Sequence, residues 1–133
     1  MTWLLDANAC IRYLNRRSTS LKARLDAADP AQILVCSVVK AEMYFGAARS
    51  RDPAKAMAEQ RLFLSRFRSL PFDDVAAESY AEIRADLSRR GQLIGPNDLM
   101  IAAICLSREV TLITHNVSEF GRIIGLAIDD WET

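Results

Sequence analysis

The chain has 133 residues, 50% of them apolar and 26% charged, which suits one domain with a sizeable core and excludes a disordered or low-complexity polymer. Its 17 basic and 17 acidic residues cancel, so bulk charge advertises no nucleic-acid or membrane partner. Cys10, Cys36 and Cys105 are odd in number and set in apolar sequence, and His115 is the only histidine; this reads as reduced core thiols, with too few ligands for a zinc site.

Thr2 to Leu5 reads as a short buried strand, and Asp6-Ala7-Asn8 turns it into a helix carrying Ile11 and Leu14. A second helix around Leu21 to Ala28 ends at Asp29-Pro30. Ile33 to Cys36 is a continuous apolar run of strand length, with Ser37 as the expected N-cap of the helix that follows. Asp52-Pro53 starts another helix, presenting Ala56, Gln60, Phe63 and Phe67 on one face. Leu70-Pro71-Phe72 is read as a short edge strand, where a proline is tolerated. From Asp74 a long helix carries Ala76, Tyr80, Ile83 and Leu87 until Gly91 stops it. Pro96-Asn97 opens the next helix, which runs to about Ser107; Thr111 to Thr114 is a β-branched strand, and a last short strand lies near Ala127-Ile128. Apolar strands alternating with helices predict an α/β domain with a mostly parallel sheet covered on both faces, over residues 1–133 as one unit. No apolar stretch reaches membrane-spanning length and no leader pattern opens the chain, so the expected location is cytoplasmic.

Three acids sit where their elements should be apolar. Asp98 falls in the first turn of its helix and heads the stripe Ile101, Ala102, Cys105. Free N–H groups and the helix dipole favour a negative charge there, but the face is wrong for a solvated one. Glu42 has Val38, Val39 and Phe45 as its helical neighbours, again a face meant for the core. Asp6 ends the first strand, at the edge where parallel sheets gather ligands; taken alone, it reads first as a helix cap. An unpaired buried carboxylate costs on the order of several kcal/mol, so converging acids without a matching base point to a shared divalent cation. Mg²⁺ suits such a set, because it takes oxygen ligands and keeps several waters. With those three acids spent on a metal, the remaining surface is mildly basic, which permits an RNA partner.

These positions resemble a PIN-domain ribonuclease, specifically a VapC-type toxin of a toxin–antitoxin pair. The resemblance is carried by Leu4-Leu5-Asp6-Ala7-Asn8, by Ser37 with Glu42, by Ile94-Gly95-Pro96-Asn97-Asp98 with Ile101-Ala102-Ala103, and by Thr114-His115-Asn116 with Glu119-Phe120. It implies a three-layer α/β/α fold whose acids bind Mg²⁺ or Mn²⁺ and hydrolyse a phosphodiester in RNA, with tRNA, cut in the anticodon loop, as the substrate most suggested. Asp6, Glu42 and Asp98 match the core acids, Asp6 and Asp98 as direct ligands. Glu42 is expected to bind the metal or to orient its water, with Asn116 and Glu119 as further candidate ligands completing the shell, while Asn8, Ser37 and Thr114 are expected to support them from behind. The resemblance also implies a homodimer and a small VapB-type antitoxin that places a cation near the acids. Two positions depart from the pattern: Ala7 replaces the usual Thr or Ser, and Asn116 fills the fourth acidic position. They motivate an alternative, a catalytically weak PIN-like module acting mainly through antitoxin binding and control of its operon. A haloacid-type phosphotransfer domain would need a second Asp where Asn8 stands.

Overall fold

The computed structural model describes residues 1–133. Leu4 and Leu5 point to opposite faces of strand β1 (Trp3–Leu5), and both are fully buried, which requires cover on both sides of the sheet. Strand β2 (Ile33–Cys36) is buried at every position for the same reason. With β3 (Arg68–Leu70), β4 (Thr111–Ile113) and β5 (Ile128–Asp129), they form an all-parallel sheet in the order β3-β2-β1-β4-β5. Helices α1 (Ala7–Leu14), α2 (Thr19–Ala27), α3 (Ser37–Ala48), α4 (Pro53–Leu64), α5 (Asp74–Arg89) and α6 (Pro96–Arg108) supply the crossovers, α3 packing on α4 and α5 on α6. A short α7 (Val117–Phe120) links β4 to β5. The result is the three-layer α/β/α architecture that the strand–helix alternation predicts.

Local chemistry sets the helix limits. Asp52 accepts from the Lys55 N–H at 3.2 Å and Asp73 from the Ala76 N–H at 2.9 Å, so each caps the helix that follows it. Gly91 ends α5 in the left-handed region (φ 65°), with its own N–H on Ser88 and the Gln92 N–H on Leu87 at 2.8 Å. This geometry satisfies two carbonyls that the helix would otherwise leave open.

Four expectations need correction. Ser37 is not the N-cap of α3: β2 runs into the helix without a loop, Cys36 takes the cap position with no side-chain cap bond, and Ser37 is an exposed first helical residue. Phe45 is not core but 62% exposed, because α3 turns that part of its face outward beyond Met43. The edge strand is Arg68–Leu70, ending before Pro71, since its pairing with Leu34, Val35 and Cys36 needs N–H groups that proline lacks. The last strand is shifted one residue, to Ile128–Asp129.

The C-terminal segment is tied into the core through Trp131, 6% exposed, whose ring lies 5.6 Å from that of Trp3 and whose Nε1 donates to Asp129 at 3.0 Å. Trp131→Ala removes both contacts and leaves a void, so urea denaturation should show a loss of about 3–5 kcal/mol. An unchanged midpoint would mean the segment does not support the core.

Candidate active site

Leu5 pairs with Ile113 across β1 and β4, so Asp6 and Thr114 leave the sheet side by side. β1 is flanked by β2 on one side and by β4 on the other, and chain crossovers depart in opposite directions there, which opens a crevice at the C-terminal strand ends. Asp6 caps α1, its Oδ1 accepting the Ala9 N–H at 2.7 Å, and the buried Thr114 hydroxyl beside it also favours its charged form. Thr114 Oγ in turn accepts the Asn116 N–H at 3.0 Å, so one buried hydroxyl links the two strand ends. The cap and the site acid are therefore the same residue. Burial is the largest influence on Asp6 and, with the charges of Asp98 and Glu132, pushes its pKa up to about 6 against the lowering effect of these two hydrogen bonds.

Glu42 and Asp98 face the same space. Val38 and Val39 anchor α3 in the core, which carries Glu42 one turn later to the strand-end crevice, where its Oε1 is buried with no hydrogen-bond partner. Burial raises its pKa, followed by the charges of Asp98 and Asp6. Asp98 lies in the first turn of α6, held there by the buried Leu99, Ile101, Ala102 and Cys105; its pKa is raised by burial and then by Glu119. Glu119 accepts from Asn116 Nδ2 at 3.1 Å, which ties the amide to the acid expected to stand in for it. Thus Asp6, Glu42 and Asp98 are each raised by burial and by the charge of another acid, and no lysine or arginine lowers any of the three.

That donor set fits a hard divalent cation. Its oxygens are carboxylates, one of them an orphaned buried atom, and mutual repulsion is what a cation would relieve. Asp6, Asp98 and Glu42 would hold it, with Glu119 and Asn116 at the margin. Of the three supporting residues, Thr114 is buried beside Asp6, Asn8 is exposed two residues beyond it, and Ser37 is exposed at the start of α3, where it bonds none of the acids.

Beside the acids runs a second feature, which local sequence does not announce. His115 Nδ1 lies 2.9 Å from Asp130, Asp130 accepts the Glu132 N–H at 2.9 Å, and Glu132 pairs with the Nε of Arg12. His115, Asp130 and Glu132 bring one ligand atom each within 4.8 Å of one another. Unlike Glu42, these groups already have partners. Arg12 and Glu132 are 120 positions apart, and only the strap formed by the C-terminal segment brings them together.

A model of the PIN domain matches residues 3–124. The tRNA(fMet)-specific endonuclease VapC of Shigella flexneri is 34% identical over 131 residues, 98% of each chain. Ribonuclease VapC2 of Rickettsia felis is 32% identical over 133 residues, 99% of each chain. Among solved structures, the DNA-bound VapBC of Salmonella typhimurium superposes with a TM-score of 0.92 at 34% identity, covering 98% of each chain. Full-length similarity at this level, on a parallel sheet that gathers acids at its strand ends, places the chain in the PIN-domain family, among the VapC ribonucleases.

Proposed function

We propose that this protein is a divalent-metal-dependent endoribonuclease, the toxin of a toxin–antitoxin pair, which cuts tRNA in the cytoplasm and so arrests translation. The observation that carries the reading is the convergence of Asp6, Glu42 and Asp98 with no basic side chain to neutralise them, and with Glu42 Oε1 buried and unpartnered. The names of the relatives, ribonucleases and a tRNA endonuclease, and the VapBC complexes among the similar structures support it. Mg²⁺ or Mn²⁺, when bound, supplies Lewis-acid charge for in-line hydrolysis of a phosphodiester.

The chain's own residues do the positioning. The Ala9 N–H holds the Asp6 carboxylate at the head of α1, with the Thr114 hydroxyl beside it favouring the charged form. Thr114 supplies a hydroxyl to Asp6 even though Ala7 has none, which weakens the case for an inactive binding module. Asp98 is held by the first turn of α6, and Glu42 would orient the attacking water or hold the ion. No histidine base or covalent nucleophile is required. A VapB-type antitoxin and a second copy of the chain are the proposed partners; the exposed Phe45, three residues from Glu42 on α3, gives either one an apolar foothold beside the acids.

Antitoxin-free protein incubated with total tRNA and Mg²⁺ or Mn²⁺ should give discrete cuts that vanish with EDTA and in Asp6→Ala. Folded protein that cuts nothing under either metal would shift the reading to an antitoxin-binding module.

A further inference from the structure

The cleft next to the acids, about 450 Å³, is lined by Asn8, Ile11, Arg12, His115, Asn116 and Glu132. Its volume lies in the range of about 300–1,000 Å³ typical of small-ligand sites, but its lining is almost wholly polar. Two of its side chains are held by acids outside the metal cluster. Glu132 grips Arg12 through Nε, leaving the outer guanidinium nitrogens available, and Asp130 grips His115 through Nδ1. A carboxylate accepts, so the proton of this contact sits on Nδ1 and Nε2 is left open to the cleft. Asn8 adds a free amide, and it follows Asp6 by two residues; Asn116 follows Thr114, the hydroxyl partner of Asp6. The cleft adjoins the acids through Asn116, whose amide bonds Glu119, and through Glu132, whose charge acts on Asp6, and it offers one cation for a phosphate, one planar ring for stacking and one amide for a base edge.

The geometry points to a binding subsite for one unpaired nucleotide of the RNA flanking the scissile phosphate, with Arg12 on a phosphate oxygen and His115 and Asn8 on the base. This rests on the ribonuclease reading. Asp130 and Glu132 are positioning residues, acting through the His115 ring and the Arg12 guanidinium. The same device orders which nucleotide is accepted, since the ring and the amide are the parts that touch a base.

Binding is measured without cutting, in EDTA, by fluorescence anisotropy of the full chain with a 5′-labelled single-stranded RNA of mixed sequence. Arg12→Gln should weaken binding ~10-fold and His115→Ala ~5-fold, with Arg12→Lys recovering part of the loss and exposed Arg51→Gln leaving it unchanged. Because Arg12 also ties α1 to the C-terminal segment, titration of the unmutated protein with 5′-mononucleotides gives a second readout. Amide and side-chain shifts at Asn8, Arg12, His115 and Asn116 support the subsite; shifts confined to other residues overturn it. Protein that binds and cuts RNA but is indifferent to Arg12→Gln and His115→Ala sinks the subsite alone. Variants that bind RNA normally and lose only an antitoxin peptide would assign the cleft to the antitoxin instead. Unmutated protein that neither binds nor cuts RNA removes the ribonuclease reading along with it.

Discussion

Asp98→Asn should reduce RNA cleavage by about 1,000-fold or more while raising the melting temperature of the metal-free protein. The rate loss corresponds to at least about 4 kcal/mol of transition-state stabilisation, at about 1.4 kcal/mol per decade. The amide keeps the shape and the place in the first turn of α6 but withdraws the charge that burial and Glu119 already penalise. Opposite signs for activity and stability are the signature of a site held together by a ligand rather than by its own side chains. Cleavage assayed beside differential scanning calorimetry checks both; retained metal-dependent cutting would remove Asp98 from the ligand set.

The second large effect concerns pH. Asp6 has its folded-state pKa pushed up to about 6 from an ordinary 3.8, so the fold holds this proton more tightly than the unfolded chain does. Its favourable contribution is complete below the ordinary value and is lost as pH rises through about 6. The loss amounts to about 3 kcal/mol, or about 10 °C in melting temperature for a domain of this size. Asp26, Asp73 and Asp86 act in the other direction, lowered by Lys22, by the Ala76 N–H with Arg108, and by Arg90 respectively. The informative quantity is therefore the difference between the unmutated protein and Asp6→Asn, which keeps a capping oxygen for Ala9. In EDTA, the advantage of Asp6→Asn should grow from pH 4 to pH 7. Added Mn²⁺ should stabilise the unmutated protein more at pH 7 than at pH 5, because the ion requires the ionised acids. Parallel melting curves at all pH values would show that Asp6 carries no burial penalty.

The burial of the candidate site's elements was legible because helix and strand periods are strict. Asp98 could be placed on a buried stripe from Ile101, Ala102 and Cys105 alone, and all three are buried. Val38 and Val39 did the same for Glu42, whereas Phe45 misled: a spacing of three marks a shared face but not how far the neighbouring layer extends over it. Ser37 misled because a hydroxyl before an apolar helix is a good cap only when a loop precedes it, and here β2 leads straight into α3. β3 was misplaced because its residues, Arg68 and Ser69 before Leu70, owe their extended form to pairing with β2 rather than to any apolar alternation. The pairs His115–Asp130 and Arg12–Glu132 left no local trace at all, since a contact across 15 or 120 positions is created by topology.

The order of the strands also bears on when such a nuclease becomes dangerous to the cell that makes it. Asp6 directly follows the first strand made, but its crevice needs β4 beside β1, and two of the acids proposed to act with it come only at positions 98 and 119. A ribosome therefore makes almost the whole chain before the candidate site can assemble, and products truncated before position 98 lack it. The interval between synthesis and a complete crevice is set by the wiring of the sheet.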